Sequence, residues 1–285
     1  MLHSPPKDHG INRTSWRMAD LKHVLEKQGL PINKDSVRRI VKDAGYRFRS
    51  AKKVLISTDP EYKKKLSLVT QALSNLTESQ KFFSIDEFGP FAVKAQGGRA
   101  LARPDECRVI PQWQKSKGCL VVVGALELST NQMTHFYANK KNTTEMMKLI
   151  HLLLRQYFDQ SLLYFSWDAA SWHGSKVFLQ EVARLNTNDY RETHQTPNIS
   201  LIPLPARAQF LNVIESVFSG MARAIIHNSD YESLEACQKA IDNYIDERNT
   251  YFQVNPKRAG NKIWGKERCP AVFSLSNNCK DPNFR

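Results

Sequence analysis

Neither a disulfide framework nor a zinc ribbon can be read from the cysteines of this chain. There are five, Cys107, Cys119, Cys237, Cys269 and Cys279, scattered and odd in number, with no C-x-x-C pair. That usage fits a reducing compartment. Long hydrophobic runs are missing as well. No apolar stretch reaches the ~18 residues that a membrane-spanning helix needs, and residues 1–8 lack the apolar segment of a secretory leader. Acidic residues are in short supply: 28 Asp and Glu face 41 Lys and Arg, a formal net charge of +13. A surplus of that size points to a polyanionic partner, most often nucleic acid. The rival, an anionic membrane surface, would call for a strongly amphipathic basic helix or a lipidation motif, and neither is present.

What remains is ordinary in bulk. With 285 residues and 41% hydrophobic content, the chain can bury a core and hold one or two domains. Its charge is uneven. Residues 1–80 hold 16 basic and 8 acidic side chains, and the remaining 205 hold 25 and 20. The N-terminal part is therefore the more basic per residue.

Within it, residues 15–28 have helical spacing, with Met18, Leu21, Val24 and Leu25 on one face and Gly29 as the stop. A turn at Leu30-Pro31-Ile32 leads to Asn33, an N-cap for a second helix from Lys34 to Ala44, closed by Gly45. Its apolar face is Val37, Ile40 and Val41, and its polar face carries Ser36, Arg38, Arg39 and Lys42. Helix, tight turn and basic helix make the helix-turn-helix pattern, whose second helix enters the major groove. The alternation Tyr46-Arg47-Phe48-Arg49 predicts a short wing strand with both arginines on one face. The expected DNA contacts are Ser36, Arg38, Arg39, Lys42, Arg47 and Arg49. Residues 1–55 form this DNA-binding domain, and 56–80 read as a linker carrying a charged helix. The run Lys63-Lys64-Lys65 is a solvated face.

From residue 81 the pattern becomes strands and helices. Strands are expected at Phe82–Glu87, at Phe91–Lys94 after a Gly89-Pro90 turn, at Gly118–Leu128 with a hairpin partner at Thr134–Tyr137, at Leu162–Trp167 and at Ile199–Ile202. Helices are expected at Thr143–Phe158, at Ser175–Leu185, along Leu211, Ile214, Phe218, Met221 and Ile225, and from Tyr231 to Tyr251. This α/β layer order matches a ribonuclease-H-like fold over residues 81–252, with 253–285 as a basic tail. In that topology the first and fourth strands are neighbours, which sets Asp86 and Asp168 side by side at their ends.

Asp86 and Asp168 each end an apolar run, and Glu215 lies on a helix. Singly, each reads as a boundary charge; jointly, they fall on the right elements in the right order. Two divalent ions about 3.5–4 Å apart can activate an attacking oxygen and stabilise a departing one in a phosphodiester. Mg²⁺ keeps several waters and is held by a few carboxylates plus substrate phosphate, so three acids suffice. Asp86 would bridge both ions, with Asp168 and Glu215 each holding one, and Mn²⁺ can substitute. Strand alternation sends Asp86 and Glu87 to opposite faces, so one of them alone can enter such a site. His173, five residues past Asp168, is a further candidate for orienting a carboxylate or touching phosphate.

The blocks around the three acids resemble the DDE transposases of the mariner superfamily, in their bacterial insertion-sequence branch. The resemblance rests on Phe83-Ser84-Ile85-Asp86-Glu87-Phe88-Gly89-Pro90, on Asp168-Ala169-Ala170-Ser171-Trp172-His173, and most specifically on Leu204-Pro205-Ala206-Arg207-Ala208-Gln209-Phe210-Leu211-Asn212-Val213-Ile214-Glu215. Asn255–Lys266 is similar to the same branch. The resemblance implies a magnesium-dependent transposase that binds the terminal inverted repeats of its element, cleaves the DNA ends and joins the freed 3′-hydroxyls to target DNA, typically at TA. It also implies a homodimer on double-stranded DNA and a cytoplasmic, nucleoid-associated location in a bacterium. Two departures accompany it. Asp168 and Glu215 are 47 positions apart, wider than usual, with the excess assigned to a loop at Asn186–Asn198. The N-terminal helix pair resembles the second half of the family's bipartite DNA-binding region, with no room for the first, as in a shortened copy. The alternatives are a truncated, non-mobilising DNA-binding derivative and a nuclease of the same fold without strand transfer.

Overall fold

In the computed structural model, residues 1–50, 56–168, 174–260, 263 and 279–280 are described. The chain divides into two compact units, Met1–Lys53 and Val54–Arg285.

The first unit is built on helices α1 (Met18–Lys27) and α2 (Lys34–Asp43), preceded by a 3-10 turn at Pro6–His9. Asn33 caps α2 through its side chain, which accepts from the Ser36 backbone N–H at 2.7 Å. Gly29 and Gly45 follow the two helices with φ of 82° and 84°, the left-handed stops that glycine allows. Leu21, Val24 and Val37 are buried between the helices. Ile40, expected on the same face, is instead 55% exposed. The buried Asp20 accepts from the Arg17 backbone and guanidinium and faces Arg13 at 3.5 Å, which ties the start of α1 to the segment before it. The Arg17 guanidinium holds its carboxyl below the usual aspartate range.

The expected wing strand does not form: Tyr46–Arg49 have no strand partner among the described residues. The segment curls back onto α2 instead. The Tyr46 N–H donates to the Val41 carbonyl, and the Arg47 guanidinium donates to the carbonyls of Lys42 and Tyr46. The Tyr46 bond satisfies a carbonyl that the end of α2 leaves open, whereas an isolated strand at Tyr46–Arg49 would have no ladder partner.

The second unit holds a five-stranded sheet in the order β4-β3-β2-β5-β6. Its strands are β2 (Gln80–Ala92), β3 (Cys119–Glu127), β4 (Gln132–Ala138), β5 (Leu162–Ser166) and β6 (Asn198–Leu201). β2, β3 and β4 are antiparallel, while β5 and β6 run parallel to β2. The two strands expected either side of Gly89-Pro90 are one strand, whose pairing with β3 shifts register between Phe88 and Phe91. A bulge absorbs the two turn residues without ending the ladder. A short ladder, β1 (Ile56–Ser57) with β7 (Cys279–Lys280), lies apart from the sheet.

Alternation splits the core into two layers. Phe83, Ile85, Val121, Val123, Leu163 and Phe165 face α4 (Thr143–Gln156) and α5 (Lys176–Leu185). Phe82, Leu120, Val122 and Leu126 face α3 (Tyr62–Ser74), α7 (Ile214–Met221) and α8 (Leu234–Val254). The stretch expected as a linker thus supplies a core helix, with Tyr62, Val69 and Leu73 buried. Lys65 of this helix pairs with the buried Asp59 at 2.7 Å, and Lys64 with Glu61. The polar stretch expected as a loop folds into helix α6 (Asn188–His194), capped by Thr187. The expected C-terminal tail also joins the core where it is described: Ala259 donates to the Leu128 carbonyl, and Ala259 and Ile263 are buried. No helix among the described residues is long and apolar enough to cross a membrane.

Candidate active site

Register brings the first two acids together. Phe82 pairs with Tyr164 and Ser84 with Ser166 across β2 and β5. Asp86 and Asp168 each lie two residues beyond the last of these pairs. Side chains two apart share a face, so both acids continue the row Phe82–Ser84 and Tyr164–Ser166. The Phe82 and Tyr164 rings stack at 6.1 Å on the α7 face. Helix α7 then lays Glu215, in its first turn, over that same face.

The electrostatics agree with the register. Burial pushes the Asp86 carboxyl up to about 6, and the negative charges of Asp168 and Glu87 add to the rise. Burial likewise pushes Glu215 up to about 7, reinforced by Asp86 and then Asp168. Three carboxyls from three elements therefore feel one another. Among the described residues no three His, Cys, Asp or Glu side chains close into a ready-made metal cage. The donor chemistry still fits a hard divalent cation: all three groups are carboxylates, Asp168 raises the proton affinity of Asp86, both raise that of Glu215, and added positive charge would relieve that repulsion.

Glu87 is excluded from this cluster, as alternation predicts. It is buried on the α4 side, where Lys141 donates to its backbone carbonyl at 2.9 Å and lies 4.0 Å from its carboxylate. The same ammonium lowers the proton affinity of Asp86. Lys141 is a cation beside the acids that the sequence reading missed, for it lies in a polar segment between β4 and α4 with no motif around it.

Packing sets the height of α7. Asp86 is paired across the sheet with Gly124 of β3. A Cβ on Gly124 would lie 2.7 Å from the Met133 methyl, 3.0 Å from the Phe218 ring and 3.2 Å from Ile214, so glycine lets the helix rest directly on the sheet. The loop ahead of α7 is held by Asp59 and Ser57: the Ala206 N–H donates to Asp59 at 2.7 Å, and the Ser57 hydroxyl donates to the Ala206 carbonyl at 2.6 Å.

The DNA-contact candidates are gathered on α2 and the segment after it. Arg39, Lys42 and Arg49 are exposed. Arg38 pairs with Asp35 at 3.1 Å, Ser36 uses its backbone N–H on the Asn33 cap, and Arg47 is engaged by carbonyls. His173 and most of the Asn255–Lys266 block beyond Gly260 lie outside the described residues.

The chain is similar to known proteins in sequence and in fold. Residues 81–238, more than half of the chain, match the family described as DDE superfamily endonuclease. The insertion element IS630 uncharacterized 39 kDa protein of Shigella sonnei is 23% identical over 246 residues, covering 85% of this chain and 67% of its own. Among solved structures, the mariner Mos1 paired end complex with Mn is similar with a TM-score of 0.53 at 13% identity, over 90% of this chain and 79% of that one. The Mos1 strand transfer complex gives 0.52 at 14%, over 86% and 78%. The chain belongs to the DDE superfamily endonucleases and carries the fold of the mariner-type transposases.

Proposed function

We propose that this endonuclease is the transposase of an IS630-type insertion sequence, binding the terminal inverted repeats and catalysing both end cleavage and strand transfer. The reading is carried by one observation: Asp86, Asp168 and Glu215 arise on β2, just past β5 and on α7, and act electrostatically on one another over a single sheet face. Asp86, Asp168 and Glu215 would together hold two Mg²⁺ or Mn²⁺ ions. Bound there, the ions would supply an activated attacking oxygen and charge relief for the departing one. The protein's part is to fix the three carboxylates, keep Glu87 turned away and set Lys141 beside the acids. Cleavage and joining are both phosphoryl transfers, so one site serves both, and no covalent protein–DNA intermediate is needed. Bringing two ends together calls for a homodimer on DNA, and the work belongs at the bacterial nucleoid. The exposed Arg39, Lys42 and Arg49, with Ser36, Arg38 and Arg47, form the DNA-docking surface of the first unit. Integration is expected at TA.

The test is a cleavage and strand-transfer assay in Mg²⁺, with duplexes carrying the element's inverted repeats. Wild type should cut and join. Asp86→Ala, Asp168→Ala and Glu215→Ala should each lose both reactions while still binding the ends. Cutting without joining would favour the simple nuclease. Wild type that neither cuts nor joins, indistinguishable from Asp86→Ala, would favour a DNA-binding derivative.

A further inference from the structure

Between β2 and α7 lies a buried polar chain that the three acids do not account for. The Ile214 backbone N–H, in the first turn of α7, donates to the Ser84 hydroxyl at 3.1 Å. That hydroxyl donates its proton to Asn212 Oδ1 at 2.6 Å. The Asn212 amide nitrogen in turn donates to Asp86 Oδ2 at 3.1 Å, with the Ile85 carbonyl at 3.5 Å. Ser84 and Asn212 are each 3% exposed, and Ile214 is fully buried. Water therefore has no easy part in the chain, and each bond lost leaves a buried polar atom unmet.

The chain has one sense. Turning the amide over would set its oxygen against the Asp86 carboxylate, and the Ser84 proton would then have no acceptor at the amide. The orientation is thus fixed at both ends. It fixes Asp86 in turn. Oδ2 is held by Asn212 and Oδ1 by the Glu87 backbone N–H at 2.7 Å, so the carboxylate plane cannot rotate freely. The same chain satisfies an N–H that the start of a helix leaves open, and α7 has no side-chain cap of its own. One set of bonds therefore sets both the plane of Asp86 and the seat of the helix that carries Glu215.

We infer that Asn212, oriented by Ser84, is a positioning residue that locks the Asp86 carboxylate and the first turn of α7 into one unit, so that Asp86 and Glu215 meet the metal ions in a fixed mutual geometry. Neither Asn212 nor Ser84 is itself a ligand. The inference rests on the assignment of Asp86 and Glu215 as metal-holding acids.

The test uses the full chain and Mn²⁺ as probe. Isothermal titration calorimetry reads Mn²⁺ binding without turnover, and end cleavage is followed in parallel as a function of metal concentration. Asn212→Ala and Ser84→Ala should each raise the half-saturating Mn²⁺ concentration by about tenfold or more, as loss of a partner behind a metal ligand does. They should leave binding of end DNA in EDTA unchanged. Because the two act through one chain, the double variant should be little worse than the worse single one. Wild-type Mn²⁺ half-saturation in both variants overturns the inference. So does a loss that follows only the unfolded fraction in thermal melts. Ser84→Ala removes a single oxygen atom, and its result decides the matter if Asn212→Ala does not fold. Asp86→Ala separates the two levels of the argument. If it keeps Mn²⁺ binding and cleavage, the site assignment falls. If it loses both while Asn212→Ala keeps both, the positioning role alone falls.

Discussion

Asp86 and Glu215 hold protons more tightly than free carboxyls do, at about 6 and about 7 against ordinary values of 3.8 and 4.5. The sign of the consequence follows from proton counting. Between roughly pH 4 and 7 the metal-free native state keeps protons that the unfolded chain has released, so stability falls as pH rises through that window. Above about 7 both states are ionised at these positions and the decline ends. Thermal melts of the metal-free protein should show this fall, and Asp86→Asn should remove part of it. Lys141→Met, which takes away the cation that lowers the proton affinity of Asp86, should steepen it. Mg²⁺ uptake should release protons most strongly in the same range, because the ion favours the ionised carboxylates. A metal-free melting temperature that is flat between pH 4 and 7 would count against this picture of the acids.

At the scale of elements, the position of α7 depends on a missing side chain. Gly124→Val should force Met133, Phe218 and Ile214 apart, since even a Cβ meets them at 2.7–3.2 Å. Overpacking of this kind costs about 1–3 kcal/mol. Because the displaced helix carries Glu215, the cleavage rate should fall by more than the stability loss explains, while end binding stays intact. Chemical denaturation beside single-turnover cleavage reads both. Gly124→Ala should be milder, for the closest atom is the flexible Met133 methyl. The strands of this sheet could be read from alternation and apolar runs, and the neighbouring positions of Asp86 and Asp168 from their places at the ends of two of those runs. Gly124, Ser84 and Asn212 could not. A polar residue inside an apolar run has no periodic signature, and Ser84 finds its partner 128 residues away. The wing misled for a related reason: Tyr46–Arg49 alternate as a strand does, yet alternation supplies no partner, and the segment folds back on the end of α2 instead. Gly89-Pro90 read as a turn because a bulge within a continued ladder carries the same residues as one that ends it.

At the scale of the whole molecule, a net charge of +13 has to act through particular side chains. Binding to duplex DNA should weaken steeply with salt, because each neutralised phosphate releases bound counterions and adds about 0.9 to the slope of log K against log salt. The cations of the first unit should not contribute alike. Arg39 is exposed, with no ion pair among the described residues, whereas Arg38 is paired with Asp35 and Arg47 is held on two carbonyls. Arg39→Ala should therefore lower affinity evenly across sequences and reduce the salt slope by about one, leaving the melting temperature unchanged. Arg47→Ala should reduce the slope by less than Arg39→Ala, since its guanidinium is held on the exposed Lys42 and Tyr46 carbonyls, and should change the melting temperature little. Arg38→Ala gives up an exposed ion pair worth about 0–1 kcal/mol, so its effect on stability should be small. Fluorescence anisotropy over a salt series, with melts of the same variants, separates the three. Equal slopes for wild type and Arg39→Ala would remove α2 from the phosphate-docking surface and move the search for that surface to the cations of the second unit.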